Sequence, residues 1–307
     1  MTVKDPQLED LLTETRNQAT MHIDELPIGE AIGLICAEDR RAVQAVEEET
    51  PSMVKAVEVM VAALKGGGRV FYMGSGTSGR VGVLDAAELL PTFGVGEDAF
   101  KAIMAGGERA MFHPVEEAED NWTAGALDLL AENPQPRDVL VGITASGRTP
   151  YVLGALEKAR EIGMGTIGLT CNRDTPLHKL AEIVIAPVVG PEVIAGSTRM
   201  KAGTAQKLVL NILSTVTMIR LGKVYQNLMV DMQATNEKLR RRAERIVMEA
   251  AGVDQRAAQD ALKQAEGSIK AAIVMLEAGC DLPRAKELLA AAEGFVAGAI
   301  RLAKEQR

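Results

Sequence analysis

Three short segments combine glycine with side-chain hydroxyls, and each precedes a predicted helix. They are GSGTSGR at Gly74 to Arg80, TASGRTP at Thr144 to Pro150, and GSTRMK, which ends at Lys201. Glycine lets the backbone approach a ligand closely, and the free N–H groups at a helix start favour an anion. Hydroxyls together with a cation suit a phosphate monoester on a polyhydroxylated molecule. The predicted substrate- and phosphate-binding residues are Ser75, Thr77, Ser78, Ser146, Thr149, Ser197, Thr198 and Lys201.

A nucleotide is a weaker candidate ligand for these loops. The first segment lacks the GxxxxGK[ST] spacing of a P-loop. It can be read as GxGxxG, but no acidic ribose partner follows at the end of the second predicted strand, and no adenine-stacking aromatic or Mg²⁺-binding Asp follows the loops. Each hydroxyl could equally serve as a helix N-cap, and Gln206 and Lys207 are interpreted as structural.

The elements that must position these loops indicate a three-layer αβα sandwich. Two amphipathic helices are predicted between Pro27 and Leu64. Five short apolar runs then alternate with helical segments, which is typical of a doubly wound parallel sheet covered on both faces. Ligands of such sheets lie beyond the carboxyl ends of the strands, near a switch in strand order. The five predicted strands are RVFYM, DAFKAIMAGG, DVLVGITAS, GTIGLTC and EIVIAPVV.

The pattern predicts two domains, residues 1–240 and residues 241–307. Beyond Ala251 the chain changes to short helices, each preceded by a cap candidate at Asp254, Ser268 or Asp281. The second domain therefore reads as a small helical bundle. It resembles three-helix modules of the UBA kind. The alternative is a purely structural role in which the bundle caps a dimer.

Composition narrows the class of protein. The 307 residues carry a formal net charge of −8, which disfavours bulk electrostatic binding of nucleic acid. The chain contains no apolar run of the roughly 18 residues that a membrane helix needs, so a cytoplasmic protein is expected. The three histidines and the three cysteines are scattered, which favours neither a metal site nor a disulfide framework. Cys36, Cys171 and Cys280 are predicted to be buried thiols.

Several motifs together resemble the sugar isomerase (SIS) superfamily. They are GSGTSGR followed by DAAE, the EEAED segment at Glu116 to Asp120, ASGRTPYV, and the long element GPEVIAGSTRMKAGTAQK at Gly190 to Lys207. Within the superfamily they resemble the N-acetylmuramic acid 6-phosphate etherases, over nearly the whole chain from TETRN at Thr13. The long element is specific to these etherases and to the related glucokinase regulatory proteins. The resemblance makes residues 1–240 an SIS sugar-phosphate-binding domain.

The resemblance implies hydrolysis of the lactyl ether of N-acetylmuramic acid 6-phosphate to N-acetylglucosamine 6-phosphate and D-lactate, in cell-wall sugar recycling. It implies no metal and no organic cofactor. Elimination from C3 needs a base at C2 and an acid at the departing oxygen, roles that two carboxylates of opposite protonation state can fill. By resemblance, Glu88 is the acid and Glu119 is the base. Each could otherwise be an ordinary solvent-exposed acid.

The position of Glu88 raises a geometric difficulty. It lies ten residues beyond Ser78, so an unbroken helix would carry it about 15 Å from the phosphate loop. Either the helix bends or ends before Pro91, or Glu88 is presented to the pocket of a partner subunit. A homodimer with sites at the subunit interface is the favoured hypothesis.

Two other functions compete with the etherase. A sugar-phosphate sensor of the glucokinase regulator kind would carry two SIS domains in a longer chain, whereas 307 residues hold one. An SIS aldose-ketose isomerase would also abstract a proton at C2 but would not need Glu88 at a leaving group. Release of lactate distinguishes an isomerase from an etherase.

Overall fold

The structure, a computed structural model, describes residues 11–234 and 236–306. Three 3₁₀ turns, Leu12–Glu14, Gln18–Thr20 and Ile23–Glu25, precede the first long helices. These are α1 (Ile28–Glu48) and α2 (Thr50–Lys65), which occupy the region where helical spacing predicted them.

A five-stranded, entirely parallel sheet lies at the centre of the first part of the chain, as predicted. Its order is β2-β1-β3-β4-β5, so the strand order switches direction at β1. Every residue of β1 and β3 is buried, which explains why these strands read as continuous apolar runs. The strands are β1 (Val70–Gly74), β2 (Phe100–Met104), β3 (Val139–Ile143), β4 (Gly165–Leu169) and β5 (Ile183–Ile185).

The switch in strand order determines where the predicted loops lie. β1 and β3 are hydrogen-bonded neighbours, and Gly74 at the end of β1 pairs with Ile143 at the end of β3. Ser75 and Thr144, the next residues along the chain, therefore leave the sheet at the same edge. Two hydroxyl-rich loops thus begin side by side at the carboxyl ends of the two central strands.

Helices follow each of these loops. α3 (Gly76–Phe93) begins inside the first loop, and α6 (Pro150–Ile162) begins at the end of the second. α3 continues through Pro91, so the alternative that it ends before this proline is wrong. The remaining helices between the strands and after them are α4 (Arg109–Phe112), α5 (Trp122–Ala131), α7 (Leu177–Leu180) and α8 (Lys201–Arg220).

The chain divides into two compact units whose limits differ from the predicted domains. One contains the described residues up to Ala87 together with Asp98–Ser214. The other contains Glu88–Glu97 and the described residues from Thr215 onward. The predicted boundary between residues 240 and 241 falls inside a single helix, α9 (Glu237–Ala251).

The second unit has its own apolar core, formed largely by alanine, isoleucine and valine side chains of its helices. The predicted caps are confirmed: Asp254, Ser268 and Asp281 each accept a hydrogen bond from a backbone N–H in the first turn of the helix that follows. The helices after α9 are α10 (Gln255–Gln264), α11 (Ile269–Ala278), α12 (Leu282–Ala291) and α13 (Val296–Glu305).

The prediction of three buried cysteines is only partly correct. Cys171 is buried and Cys280 is half-buried, whereas Cys36 is exposed on α1. The first part of α1, up to Ala37, contains no buried residue, although it is rich in apolar side chains. None of the helices in residues 11–234 and 236–306 has both the length and the apolarity needed to span a bilayer.

Glycines allow α5 and α6 to pack at backbone contact, and this packing supports the segment before α5. A Cβ added to Gly125 would lie 1.8 Å from the carbonyl oxygen of Tyr151. We expect Gly125→Ala to lower the free energy of unfolding by about 1–3 kcal/mol, because neither backbone can move aside. The measurement is urea unfolding followed by circular dichroism.

Gly29→Ala is the matched control, since no atom lies within 4 Å of its added Cβ. This variant should be unchanged or slightly more stable. Equal stability of the two variants would contradict the packing argument.

Candidate functional site

Glu119 lies at the sheet edge, between the two loops that begin there. Its Oε2 accepts a hydrogen bond from Ser75 Oγ at 3.1 Å, and its backbone carbonyl accepts one from Tyr151 N–H at 3.0 Å. Ser75 follows β1, and Tyr151 lies in the first turn of α6. The carboxylate is exposed to solvent, so a bound ligand could reach it.

The loop after β3 contains a connected group of hydroxyls. Thr144 Oγ1 lies 2.7 Å from Thr149 Oγ1 and 3.2 Å from Ser146 Oγ. Gly147 has a φ of +69°, and Thr175 occupies the space that its Cβ would need. Ser146 and Thr149 remain partly exposed at the start of α6. The loop therefore places the two predicted hydroxyls, those of Ser146 and Thr149, in one turn beside the N-terminus of α6.

The hydroxyls of the first loop differ in how they are used. Ser78 is buried, and its Oγ donates a hydrogen bond to Gln206 Oε1 at 2.9 Å, so this hydroxyl joins α3 to α8. Thr77 is half-buried, and its methyl group lies close to Gly203 of α8. Ser75 and Thr77 are thus the more accessible candidates, while the contact of Ser78 agrees with the structural interpretation of Gln206.

The segment before α8 is organised around a buried carboxylate. Glu192 is fully buried and accepts hydrogen bonds from the backbone N–H groups of Lys201 and Ala202, at 3.0 and 2.9 Å. Burial raises the pKa of Glu192, and these N–H groups oppose that effect. The N-terminus of α8 is therefore occupied by a side chain of the protein. Ser197 and Thr198 lie between Glu192 and this helix and are half-buried.

The structure places the ammonium group of Lys201 in the interior. Its side chain has no exposed surface, and Nζ lies 2.6 Å from Glu38 Oε2 on α1. Asn17 Nδ2 donates to the same oxygen at 2.8 Å, and Arg41 lies 3.3 Å from the other one. Burial raises the pKa of Glu38, but the hydrogen bonds from Lys201 and Asn17 and the two positive charges outweigh it and hold the pKa below its ordinary value. Binding of phosphate by Lys201 stays a prediction.

A second polar network lies next to Glu88 in sequence. Asp85 is buried and accepts hydrogen bonds from Tyr72 on β1 and from Asn211 and Ser214 on α8, at 3.1, 2.6 and 3.1 Å. Burial raises the pKa of Asp85, although these three donors oppose it. Asp85 therefore fastens α3 to its neighbours one turn before Glu88. Glu88 itself is exposed, and its role as the acid stays a prediction.

Sequence reasoning missed Glu38, Glu192 and Asp85. Asp85 opens the DAAE motif, which was a usable signal, and Glu192 belongs to the GPE that opens the long element. Glu38 lies on an amphipathic helix with nothing in its surroundings that sets it apart from the other acids of α1.

Comparison with known proteins identifies the family. Residues 52–160 match the glucokinase regulatory protein N-terminal SIS domain, and residues 123–216 match the SIS domain. The N-acetylmuramic acid 6-phosphate etherase of Symbiobacterium thermophilum is 54% identical over 87% of this chain and 89% of its own. This chain belongs to the N-acetylmuramic acid 6-phosphate etherase family.

Other relatives of the etherase family agree. The etherase of Salmonella dublin is 52% identical over 87% of this chain and 90% of its own, and etherase 2 of Vibrio cholerae is 53% identical over 87% of each chain. Among solved structures, a proposed phosphosugar isomerase of Bacteroides fragilis involved in capsule formation has a TM-score of 0.50 and 22% identity. It covers 66% of this chain and 95% of its own, and it is similar in fold alone.

The buried pair of Lys201 and Glu38 yields a prediction for this etherase. We expect Glu38→Gln to lower the free energy of unfolding by about 3–5 kcal/mol, because it leaves the Lys201 ammonium buried without its counter-charge. The measurement is urea unfolding at neutral pH. Glu48→Gln, an exposed acid on the same helix, should change stability by less than about 0.5 kcal/mol.

The same variant should also lose part of the pH dependence of stability. Since the pKa of Glu38 in the folded protein lies below its ordinary value of 4.5, the stabilisation it provides is present above pH 4.5 and is lost as the pH falls through the lower, folded-state value. Stability of Glu38→Gln should therefore fall less steeply below pH 5 than that of the wild type. A small loss with an unaltered acid slope would contradict the assignment.

Proposed function

We propose that this chain cleaves the D-lactyl ether of N-acetylmuramic acid 6-phosphate with water, giving N-acetylglucosamine 6-phosphate and D-lactate. Membership of the etherase family supports this reaction. The structural observation that carries the proposal is the contact of Glu119 with Ser75, because it brings a carboxylate to the loops suited to a sugar phosphate. The role of the reaction would be amino-sugar recycling from the cell wall.

The elimination requires one proton to leave C2 and another to reach the ether oxygen on C3. When the sugar ring opens, the aldehyde at C1 makes the C2 proton acidic, and Glu119 takes it as the C3–oxygen bond breaks. Glu88 protonates the departing lactate oxygen. The product of this step is an unsaturated aldehyde with a C2–C3 double bond. Water then adds its oxygen to C3, and C2 regains a proton with the roles of the two acids reversed.

The binding side of the proposal rests on the two loops at the sheet edge. Ser75, Thr77, Ser146 and Thr149 offer partly exposed hydroxyls beside the N-termini of α3 and α6. A phosphate group gains from the hydroxyl donors and from the positive ends of both helix dipoles. Tyr151 holds the backbone of Glu119, and Ser75 donates its single O–H to the Glu119 carboxylate until a phosphate takes over that hydrogen bond, so the base would be positioned before the substrate arrives.

Isotope incorporation tests the reaction. Incubation of wild-type protein with N-acetylmuramic acid 6-phosphate in heavy-oxygen water should place the label at C3 of the sugar and none in the lactate, because the broken bond joins C3 to the ether oxygen. Mass spectrometry of both products is the measurement. Labelled lactate would contradict elimination, and an isomerised substrate without lactate would favour the aldose-ketose isomerase.

We further propose that the enzyme is a homodimer in which Glu88 serves the site of the partner subunit. Leu84 lies one helical turn before Glu88 on the same face of α3 and is 52% exposed, and Phe112 is 83% exposed. Leu127 and Leu130 of α5 are exposed as well, and apolar side chains of this kind are what a second copy could cover. Covering Leu84 would bring Glu88 to the interface.

Mixing of inactive variants tests the shared site. Glu88→Ala and Glu119→Ala should each lower kcat about 10²–10⁴-fold, the usual contribution of a general acid or base. If the two acids of one site come from different subunits, unfolding and refolding an equal mixture should restore about a quarter of wild-type lactate release, because half the dimers would contain one intact site.

The control for this experiment is each variant refolded alone, which should stay inactive. A mixture that is no more active than its components would mean that both acids act within one subunit.

A further inference from the structure

The N-terminal segment from Thr13 to Thr20, which begins with TETRN, is fastened to the loop before α8. The carbonyl of Thr13 accepts a hydrogen bond from Gly196 N–H at 3.1 Å, and Thr20 Oγ1 donates to the carbonyl of Val193 at 2.8 Å. Thr13 and Thr20 are both buried. The segment therefore has a fixed position along the loop that contains Ser197 and Thr198.

The same segment also reaches the loop after β3. Asn172 is buried, and its Nδ2 donates to Thr13 Oγ1 at 3.2 Å and to the carbonyl of Ala145 at 2.9 Å. Ala145 belongs to the TASGRTP loop. Thr13 thus lies where two of the predicted binding loops meet.

Glu14, the next residue, brings a carboxylate to this junction. Its Oε1 accepts from Thr13 Oγ1 at 3.4 Å, and its Oε2 lies 3.1 Å from the place that a Cβ of Gly196 would occupy. Within residues 11–234 and 236–306, Oε2 receives no hydrogen bond. Gly196 directly precedes Ser197 and Thr198, so an acceptor with spare capacity lies beside the backbone that leads into these two residues.

The charges at this junction do not suit a phosphate. The ammonium of Lys201 is turned inward to Glu38, and the N-terminus of α8 is occupied by Glu192. A phosphate dianion against Glu14 would meet a like charge, and the buried Lys201 is not available to offset it. A neutral hydroxyl or amide N–H, in contrast, donates well to a carboxylate.

We propose that Glu14 is a substrate-binding residue that accepts a hydrogen bond from a hydroxyl or amide N–H of the sugar held at Ser197 and Thr198. The assignment rests on the proposed function. Under this assignment, Ser197 and Thr198 bind the neutral part of the substrate instead of the phosphate. The loops before α3 and α6 bind the phosphate.

Binding measurements on the full chain test the assignment without turnover. Glu14→Ala should raise the Kd for N-acetylglucosamine 6-phosphate about tenfold or more, the usual worth of a hydrogen bond to a charged group. The Kd for inorganic phosphate, measured by its displacement of the sugar phosphate, should stay the same or fall, because a negative charge has been removed. Glu14→Gln keeps an acceptor oxygen and should recover part of the sugar affinity.

Glu25→Ala is the matched control, since Glu25 is an exposed acid of the same N-terminal segment whose side chain pairs with His22. It should bind both ligands as the wild type does, and thermal unfolding should show all variants folded at the assay temperature. An unchanged Kd for the sugar phosphate in Glu14→Ala overturns the assignment. An equal rise in the Kd for the sugar phosphate and the Kd for inorganic phosphate would also overturn it. A wild-type chain that does not bind N-acetylglucosamine 6-phosphate overturns the proposed function and this assignment with it.

Discussion

The arrangement of the first unit depends on the ion pair of Lys201 and Glu38. An ammonium with no exposed surface needs a counter-charge, because its transfer from water is otherwise prohibitively unfavourable. α1 supplies the counter-charge, and Asn17 completes the coordination of the same carboxylate oxygen. The start of α8, the middle of α1 and the N-terminal segment are therefore held together. Glu14, Ser197 and Thr198 lie along this junction and are half-buried, so the buried pair fixes the segments that carry these polar groups.

The sheet supplies the second constraint. Since β1 and β3 are adjacent, their loops emerge together, and Glu119 bridges them through Ser75 and Tyr151. The close packing of α5 on α6 supports the segment before α5, which contains Glu119, because Gly125 and Gly154 bring the two backbones into contact. A carboxylate held by both loops follows from topology and glycine spacing, and it is in place without a ligand.

Much of this could be predicted from the sequence. Buried parallel strands read as short apolar runs, and hydroxyl-rich turns stand out at their ends, so the sheet and its loops were predictable from local pattern. The burial of Lys201 was not, since its partner lies 163 residues away in the chain and a cation beside hydroxyls looks like a ligand-binding group. The division into two compact units was not predictable from the sequence either. Glu88–Glu97 groups with residues far along the chain, and amino-acid composition does not show such long-range grouping. The glutamate roles came from resemblance, since an exposed acid on a helix carries no distinguishing local signal.

Pro91 within α3 has a consequence for the backbone next to Glu88. A proline has no N–H, so the carbonyl of Ala87 loses the donor that a regular helix would provide, and the pyrrolidine ring crowds that carbonyl. Glu88 is the residue immediately after the weakened peptide. Upstream, Asp85 anchors the helix to the strand and to α8. Buried side-chain hydrogen bonds therefore hold α3 at Asp85, and the backbone hydrogen bond that the proline removes is missing at the peptide just before Glu88.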